Sequence, residues 1–274
     1  MGSLQPSYSA PPQRLTFDGY LFDMDGTIID STPAIVKHWH TIGKEIGVAP
    51  EVILETSHGR RSMDVLKILA PEKATWDCKL IPSAYPITHL QPLYDHFTFL
   101  STYITKALLT YTDIRHMEGL LPKLYSSDAT EIPGARSLLT SLINNSAPWA
   151  IVTSGTEPLV TGWLSVLNLA IPEHLITAES VEEGKPHPAC YRLGRERLGL
   201  QHDDKEILVF EDAPAGIKAG KAAGCKVIGL VTSHTLEQIV EAGPDWILKD
   251  LESIDVVDVK DGRVTVEIRD ALVQ

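Results

Sequence analysis

Five short apolar runs, each followed by a polar or glycine-containing turn, constrain the fold of this chain most strongly. The apolar part of each run is only a few residues long and shows no alternation with polar residues. Such runs are typical of strands buried on both faces, as in a parallel sheet. The runs and their turns are DGYLFDMDGT (18–27), WAIVTSGT (149–156), EILVFEDAPAG (206–216), CKVIGLVTS (225–233) and DWILKD (245–250). Helical patterns separate them from about residue 134 to 250, which predicts right-handed βαβ units and a doubly wound α/β sheet.

The segment 30–133 interrupts this alternation and carries helical patterns. It opens with STPAIVKHWHTIGKEIG, in which Ser, Thr and Pro precede apolar residues at helical spacing, and SMDVLKILA indicates a second helix. The segment lies between the first strand and the following strand–helix units, so it predicts an inserted helical cap. We expect an α/β core at 14–29 and 134–274 and a cap at 30–133.

The two ends of the chain differ from this core. Residues 1–13 are rich in Pro and Ser, which favours a flexible tail. Near the other end, VVDVKDGRVTVEIR alternates around Asp261-Gly262. Asp-Gly between alternating apolar residues is a strong signal for a β-hairpin.

Carboxylates follow two of the buried runs. Asp23 and Asp25 come after YLF, and Glu211 and Asp212 come after EILVF. In an open α/β sheet, ligands bind beyond the carboxyl ends of the strands, at the point where the strand order reverses. Carboxylates gathered there would repel one another unless a hard cation lay among them, and an all-oxygen set suits Mg²⁺. One aspartate could act as a nucleophile and the other as a proton donor or acceptor.

Two further motifs could hold a phosphate. Thr153, Ser154 and Gly155 end another strand, where a hydroxyl and free backbone N–H groups can bind phosphate oxygens. Lys185 lies in EEGKPHP, in a loop before a helix, and would supply a cation for the charge of a transferring phosphoryl group.

This ordered set of motifs resembles the haloacid dehalogenase superfamily, whose phosphatases begin with DxDGT. The resemblance implies an aspartyl-phosphate nucleophile at Asp23, a general acid/base at Asp25 and a Mg²⁺ cofactor. It further implies metal ligands among Asp23, Asp25, Glu211 and Asp212, a phosphate-binding hydroxyl at Thr153 and the lysine of the third motif at Lys185. The inserted helical segment is similar to the cap of that superfamily.

The motifs DMDGTIIDSTPAIVKHW, TSHGRRSMDVL, EIPGA, AIVTSGT, EGKPHP and VFEDAPAGIKAGKAAGCKV are similar to those of the fungal glycerol-phosphate and 2-deoxyglucose-6-phosphate phosphatases. This likeness implies Mg²⁺-dependent hydrolysis of small polyol or sugar phosphate monoesters through an aspartyl phosphate. The substrate-binding residues that we expect are Thr27, Ser154, Gly155 and, in the cap, His58, Gly59 and Arg61.

Two alternatives share the fold. A β-phosphoglucomutase-like phosphotransferase would use the same core chemistry but would pass through a bisphosphate. A non-catalytic binding module would keep the fold without turnover, although every expected catalytic carboxylate and Lys185 are present. Phosphate release without a bisphosphate intermediate separates hydrolysis from the first alternative, and a phosphate assay with and without EDTA separates it from the second.

Composition limits the possible partners. The formal net charge is −12, which argues against bulk attraction to nucleic acid or to an anionic membrane. No apolar run reaches the ~20 residues that span a bilayer. The three cysteines form no even framework, which favours a reduced compartment. We expect a cytoplasmic monomer whose partner is a small phosphate ester, with neither nucleic acid nor membrane as a partner.

Residues 78–113 interrupt the cap where the resembled family continues directly. They are poor in charge and rich in aromatic residues. Cys78-Lys79 can be encoded TGT-AAG, which contains a splice-donor sequence, and the codons for 109–113 are compatible with a branch site and an acceptor. We hypothesise a retained intron in the gene model; its removal would replace the 36 codons by one tyrosine codon. Such a segment should pack poorly and carry no catalytic residue.

Overall fold

The computed structural model describes residues 7–57, 59–71, 74–75 and 109–273. Within them the strands are β1 (Gln13–Phe17), β2 (Gly19–Phe22), β3 (Ile29–Asp30), β4 (Ala74–Thr75), β5 (Leu109–Thr110), β6 (Thr130–Glu131), β7 (Trp149–Val152), β8 (Leu175–Ile176), β9 (Ile207–Glu211), β10 (Lys226–Leu230), β11 (Trp246–Leu248), β12 (Ile254–Lys260) and β13 (Arg263–Ile268). The α-helices are α1 (Thr32–Ile46), α2 (Pro50–Ser57), α3 (Ser62–Leu69), α4 (Tyr111–Leu124), α5 (Ala135–Asn144), α6 (Glu157–Val166), α7 (Ala189–Arg197), α8 (Pro214–Ala222) and α9 (Leu236–Ala242).

A six-stranded parallel sheet forms the centre of the core, in the order β11-β10-β9-β2-β7-β8. When these six strands are numbered by their order along the chain and read from the β8 edge, they follow the order 3-2-1-4-5-6 of doubly wound nucleotide-binding folds. The chain moves from β2 to β7 on one side and later to β9 on the other, so the order reverses between β2 and β9. The predicted α/β fold is confirmed, and the switch point lies between these two strands.

Apolar packing fixes the register at that switch point. Phe22 is the Cα partner of Phe210 in the parallel pairing of β2 with β9. The two fully buried rings stack with their centroids 4.4 Å apart. Aromatic pairs of this kind stabilise beyond their burial alone by about 0.5–1.5 kcal/mol. The next residues, Asp23 and Glu211, therefore lie side by side at the carboxyl edge of the sheet.

The helices α1 to α4 form the predicted helical cap. Its own apolar core is assembled from all four helices and consists of Trp39, Ile42, Ile46, Ile53, Met63, Val65, Leu66, Ala70, Ile114 and Met117. The chain passes between core and cap along β3 and β6, which pair antiparallel through Ile29↔Glu131 and Asp30↔Thr130. Both passages thus lie next to each other.

Cap and core meet most closely where α4 packs on α6. A methyl group added at Gly119 would lie 2.8 Å from Pro158 Cβ, and one added at Gly162 would lie 2.7 Å from Pro122 Cγ. Each glycine therefore leaves room for a proline of the other helix. This close approach brings the middle of α4 over the carboxyl edge of β7, which precedes α6.

The ends of the chain form a second, antiparallel sheet in the order β1-β13-β12. The predicted hairpin is present: Asp261 and Gly262 have positive φ angles of 53° and 75°, as its tight turn requires. The composition of residues 1–13 predicts a flexible tail, whereas Gln13 begins β1 and Ala10 N–H donates to Ala271 O at 3.0 Å. The hairpin leaves backbone N–H and C=O groups unpaired at its edge, and this segment forms hydrogen bonds with them.

Within the retained-intron candidate, the structure describes residues 109–113. Tyr111 packs against the apolar core of the cap, and Asp113 is buried. This differs from the expectation that the segment packs poorly, because both side chains belong to the first turn of α4. Residues 76–108 lie outside the described residues. Across the described ranges, no helix has the length and apolarity that crossing a membrane demands.

Candidate active site

Asp23 follows β2 directly and is buried at the sheet switch point. Its backbone N–H donates to Phe210 O at 3.0 Å, which fixes the turn against β9. Its Oδ1 accepts a hydrogen bond from Lys185 Nζ at 2.6 Å. Burial raises the pKa of Asp23 well above its usual range; Lys185 opposes this rise, and the nearby Glu211 and Asp212 carboxylates add to it. The charged form that could attack phosphorus therefore depends on nearby cations.

Lys185 joins three chain segments. Besides Asp23, its Nζ donates to Glu211 Oε1 at 2.7 Å and to the backbone oxygen of Val152 at 3.0 Å. Burial alone would lower the pKa of Lys185, but Asp23 and Glu211 outweigh it and raise the pKa above its ordinary value. The side chain is 3 % exposed, so this ammonium is a fixed buried cation beside Asp23.

Glu211 and Asp212 differ in what holds them. Glu211 is fully buried; its Oε1 also accepts from the Tyr191 hydroxyl at 2.6 Å, and its Oε2 accepts from the backbone N–H of Ala213 at 3.1 Å. Asp212 accepts hydroxyl hydrogen bonds from Thr27 and Ser233. Burial, followed by the Glu211 charge, raises the pKa of Asp212 to about 7, against the opposing hydroxyl contacts.

Asp23, Glu211 and Asp212 fit a divalent cation. Each offers a carboxylate oxygen, and the three oxygens lie within 4.8 Å of one another. Lys185 contacts Asp23 and Glu211, while the contacts of Asp212 described above are neutral hydroxyls. Three buried carboxylates against one ammonium leave excess negative charge, and an all-oxygen set suits Mg²⁺. Asp25, the fourth predicted ligand, lies outside this three-residue group.

Asp25 lies on the cavity side of the turn after β2. Its Oδ1 accepts a hydrogen bond from Ser31 Oγ at 2.5 Å. Removal of the carboxyl from water raises the pKa of Asp25, while Ser31 and Lys185 counteract this rise. A carboxyl group with a raised pKa beside a nucleophile suits proton donation and later proton acceptance.

The turn that carries both aspartates depends on Gly26. Its φ is +90°, and a Cβ at this position would lie 2.1 Å from Asp212 Oδ2. The neighbouring Thr27, a predicted substrate-binding residue, is fully buried and donates to Asp212 Oδ1 at 3.1 Å. The structure therefore places Thr27 against the carboxylate cluster and not in the wall of the cavity.

Thr153, Ser154 and Gly155 all line the cavity with Asp23 and Asp25. Thr153 Oγ1 accepts the Gly155 N–H at 3.0 Å, which closes a tight turn after β7. Ser154 Oγ donates to the backbone oxygen of Gly59 at 2.9 Å and so connects the predicted phosphate loop to the cap. The predicted phosphate-binding residues and the predicted nucleophile are thus brought together.

The cap loop places its two arginines differently. Gly59 and Arg60 line the cavity. Arg61, a predicted substrate contact, turns away: it pairs with Asp64 at 2.6 Å and donates to the backbone oxygens of Val181 and Glu182, each at 2.8 Å. Arg61 therefore ties the cap to the loop that leads to Lys185. His58 lies outside the described residues.

The cavity also contains a residue that the motifs do not indicate. Glu118 on α4 is 4 % exposed and lines the cavity together with Ser57, Ser62 and Trp39. Burial raises the pKa of Glu118, and hydrogen bonds from Ser62 and Thr156 counteract this rise. A signal was available in the sequence, because Glu118 is four residues after the buried Ile114 and so interrupts an apolar helix face.

The cavity between cap and core is small, and most of the residues that line it have polar or charged side chains. It has a volume of about 80 Å³. Its walls hold acidic, hydroxyl and guanidinium groups beside two apolar side chains and Trp39, which suits a small polar ligand.

Comparison with known proteins places the chain in a family. The haloacid dehalogenase-like hydrolase family matches residues 17–224. Glycerol-1-phosphate phosphohydrolase 1 of Saccharomyces cerevisiae is 37 % identical over 254 residues, covering 89 % of this chain and 87 % of the relative. Hexitol phosphatase A of Escherichia coli is 33 % identical, with 91 % and 98 % covered. 2-deoxyglucose-6-phosphate phosphatase 1 of S. cerevisiae is 32 % identical, with 92 % and 95 % covered.

Solved structures agree on the fold. A hydrolase from Pseudomonas syringae has a TM-score of 0.60 at 24 % identity and covers 85 % of this chain and 94 % of its own. A HAD hydrolase from Entamoeba histolytica has the same TM-score at 21 % identity, with 86 % and 95 % covered. The chain belongs to the haloacid dehalogenase-like hydrolases, as the motifs predict, and it is an enzyme of that hydrolase class.

Proposed function

We propose that this chain is a Mg²⁺-dependent phosphatase that hydrolyses small polyol or sugar phosphate monoesters through an aspartyl phosphate on Asp23. The observation that carries the proposal is the arrangement around Asp23. A buried carboxylate accepts a hydrogen bond from Lys185, lies beside a second acidic pair, and borders the cavity between core and cap. That arrangement combines a nucleophile, a fixed cation and a candidate metal site in one place.

In the first step, an Asp23 oxygen forms a bond to phosphorus while the bond between phosphorus and the ester oxygen breaks. Asp25 gives its proton to the leaving alcohol oxygen, so that no alkoxide is released. Lys185, 2.6 Å from Asp23 Oδ1, offsets the negative charge of the attacking carboxylate and of the transferring group. Thr153, Ser154 and Gly155 supply the hydroxyl and backbone groups that would orient the phosphoryl oxygens.

In the second step, Asp25 takes a proton from water as that water attacks phosphorus. The bond from phosphorus to the Asp23 oxygen breaks, inorganic phosphate leaves, and the Asp23 carboxylate is restored. Asp25 is protonated again and ready for the next substrate. Splitting one displacement into two steps is the benefit of covalent catalysis.

The carboxylates of Asp23 and Asp212, with Glu211 beside them, would hold the Mg²⁺. When bound, the ion supplies positive charge for the phosphoryl oxygens and for the crowded carboxylates. Glu211 already pairs with the Lys185 ammonium, whereas the contacts of Asp212 described above are neutral hydroxyls. Glu211 therefore also holds Lys185 and the turn after β9.

The substrate class is supported by the cavity and by the relatives. Three relatives that are 32–37 % identical are named for glycerol 1-phosphate, hexitol phosphates and 2-deoxyglucose 6-phosphate. Ser57, Ser62 and Glu118 offer hydrogen-bonding groups to hydroxyls on the cap side. A cavity of about 80 Å³ favours a small phosphate ester over a nucleotide or a phosphoprotein loop.

A phosphate-release assay tests the proposal directly. Glycerol phosphate, hexitol phosphates, deoxysugar phosphates and phosphoglycolate are compared by kcat/KM with Mg²⁺ and again with EDTA. We expect release of phosphate from the polyol and sugar esters and its loss with EDTA. Formation of an isomerised sugar phosphate, in a reaction that depends on a bisphosphate, would favour the phosphotransferase alternative. Absence of turnover with every ester would contradict the proposal.

A further inference from the structure

Glu118 places a carboxyl group in a cavity that also receives a phosphate dianion under the proposed function. It comes from the cap helix α4, whereas Asp23 and Asp25 come from the core. Its side chain is buried, and Asp25 is close enough for the two carboxyl groups to repel each other. An acidic group at this position weakens the binding of a phosphate dianion. Its presence is therefore unexpected unless it binds another part of the substrate.

The contacts of Glu118 stabilise its charged form. Oε1 accepts a hydrogen bond from the Ser62 hydroxyl at 2.5 Å, and Oε2 accepts from the backbone N–H of Thr156 at 3.0 Å. Thr156 is the N-cap residue of α6, a ten-residue helix. The N-terminal end of a helix carries partial positive charge and favours a carboxylate. One donor from the cap and one from the core therefore favour the charged form of Glu118 and oppose the rise in its pKa that burial causes.

Those two contacts leave part of the carboxylate free to accept. An ionised carboxyl group has about four lone-pair sites on its two oxygens. One site on each oxygen is used by Ser62 and Thr156, and the residue still lines the cavity. The remaining sites suit hydroxyl donors, which a polyol or sugar has and a carboxylate does not.

We propose that Glu118 is a specificity-determining residue, which accepts hydrogen bonds from hydroxyls of a neutral leaving group and repels leaving groups that carry a carboxylate. This inference rests on the proposed phosphatase function and deepens it. Glu118 thereby favours polyol and sugar phosphates as substrates over phosphate esters of acids, such as phosphoglycolate. A site built to bind a substrate hydroxyl rejects analogues that lack it far more strongly than an apolar pocket does.

A purely structural role makes a different prediction. The Ser62–Glu118–Thr156 connection links cap to core, and its loss could loosen the closed cap. A looser cap would lower activity on all esters alike. Arg60 also lines the cavity and would attract a carboxylate, but it is unchanged when Glu118 alone is replaced. The ratio between neutral and acidic ligands therefore distinguishes specificity from cap closure.

The test compares wild type with Glu118→Gln, which keeps the size and one acceptor but removes the charge. Glu55→Gln is the matched control, because Glu55 is exposed on the cap helix α2. Two quantities are measured at neutral pH with Mg²⁺: kcat/KM for glycerol phosphate and the inhibition constant of phosphoglycolate against it. We expect Glu118→Gln to lower kcat/KM for glycerol phosphate about three- to tenfold. We expect phosphoglycolate to bind about tenfold more tightly to Glu118→Gln than to the wild type, because a nearby like charge is gone.

The outcomes separate this inference from the proposed function. Equal changes for both ligands, or no change in their ratio, would overturn the role of Glu118 while leaving the phosphatase proposal intact. Absence of turnover in the wild type would instead overturn the proposed function. If Glu118→Gln does not fold, the wild type decides: phosphoglycolate must bind at least tenfold more weakly than glycerol phosphate, and equal binding contradicts the inference.

Discussion

Lys185 Nζ donates to Asp23 Oδ1 at 2.6 Å, and both side chains are buried. The two residues are 162 positions apart in sequence. Lys185 also donates to Glu211 at the end of β9, so one ammonium holds together the two sides of the switch point. This contact fixes the orientation of Asp23 and offsets part of the charge that the carboxylates share.

Replacing Lys185 by Met tests that double role. The change leaves Asp23 and Glu211 without their buried cation, and breaking a buried pair by removing one partner costs about 3–5 kcal/mol. We expect a free energy of unfolding lower by that amount in denaturant titration with EDTA. We also expect kcat to fall by a factor of about 100–1,000 with Mg²⁺ present, because charge stabilisation is lost.

Lys226→Met is the control for this variant. Lys226 is half exposed and pairs with Asp245 at 3.1 Å, and such surface pairs contribute about 0–1 kcal/mol. Near-wild-type stability and activity are expected. If Lys185→Met behaved like Lys226→Met in both measurements, the buried lysine would have no special function.

Gly26→Ala should disturb the carboxylate cluster. An Ala Cβ would lie 2.1 Å from Asp212 Oδ2, so either the turn or Asp212 must move. A displacement of about 1 Å in such a site can cost about 100-fold in rate. We expect kcat/KM to fall by that factor and the Mg²⁺ concentration for half-maximal activity to rise.

Gly47→Ala separates the clash from backbone strain. Gly47 has a similar positive φ of +72°, but a Cβ there meets nothing within 4 Å. The left-handed conformation alone costs about 1–2 kcal/mol for a residue with a Cβ. We expect Gly47→Ala to lose stability and keep its activity. Equal loss of activity in both variants would assign the effect to strain and not to Asp212.

Much of the core was predictable because buried parallel strands have a distinctive pattern. Each of the five apolar runs became a strand of the central sheet, and the polar residues after them lie at one edge. Parallel strands must end together, so sequence position sufficed to bring Asp23, Thr153 and Asp212 near one another. The hairpin at Asp261-Gly262 was predictable from its turn chemistry.

The cap side of the site was less predictable, because helix packing decides which side chains face the cavity. Arg60 and Arg61 are adjacent and chemically identical, yet Arg60 lines the cavity and Arg61 pairs with Asp64. Arg61 precedes α3 as its N-cap residue, where the backbone turns. The contact of Glu118 with Thr156 likewise depends on how α4 docks on α6, which no local pattern reveals.

The raised pKa of Asp212 predicts that Mg²⁺ stabilises the fold in a pH-dependent way. Its pKa is about 7 in the folded chain without metal, against an ordinary value of 3.8. The folded form therefore binds this proton more tightly than the unfolded form. The group favours folding at low pH, and this contribution is lost as pH rises from about 3.8 to about 7.

Mg²⁺ must displace that proton below about pH 7, so the metal should raise Tm more as pH increases and level off above that pH. Thermal unfolding with Mg²⁺ or EDTA across this range measures the difference directly. Asp212→Asn, which removes the titrating group, should make the remaining Mg²⁺ effect smaller and flatter. A Mg²⁺ effect that shrinks as pH rises through 7 would contradict this account.

The retained-intron hypothesis predicts a shorter native protein. Trypsin would release residues 80–106 as one peptide, since no Lys or Arg interrupts them. We expect mass spectrometry of the protein from its native source to lack this peptide. We also expect a junction peptide in which one tyrosine joins Asp77 to Ile114. Detection of the 80–106 peptide would refute the hypothesis and make the segment a genuine part of the cap.

Direct detection of a phosphoryl group on Asp23 tests the central claim. In Asp25→Asn, 4-nitrophenyl phosphate can load Asp23 because its leaving group needs no proton, whereas the missing base slows hydrolysis. After acid quench and trypsin digestion, we expect peptide 15–37 to gain the mass of one HPO₃ unit, at Asp23. Asp23→Asn should show neither this label nor turnover. A label on another residue, or turnover by Asp23→Asn at the wild-type rate, would contradict the account.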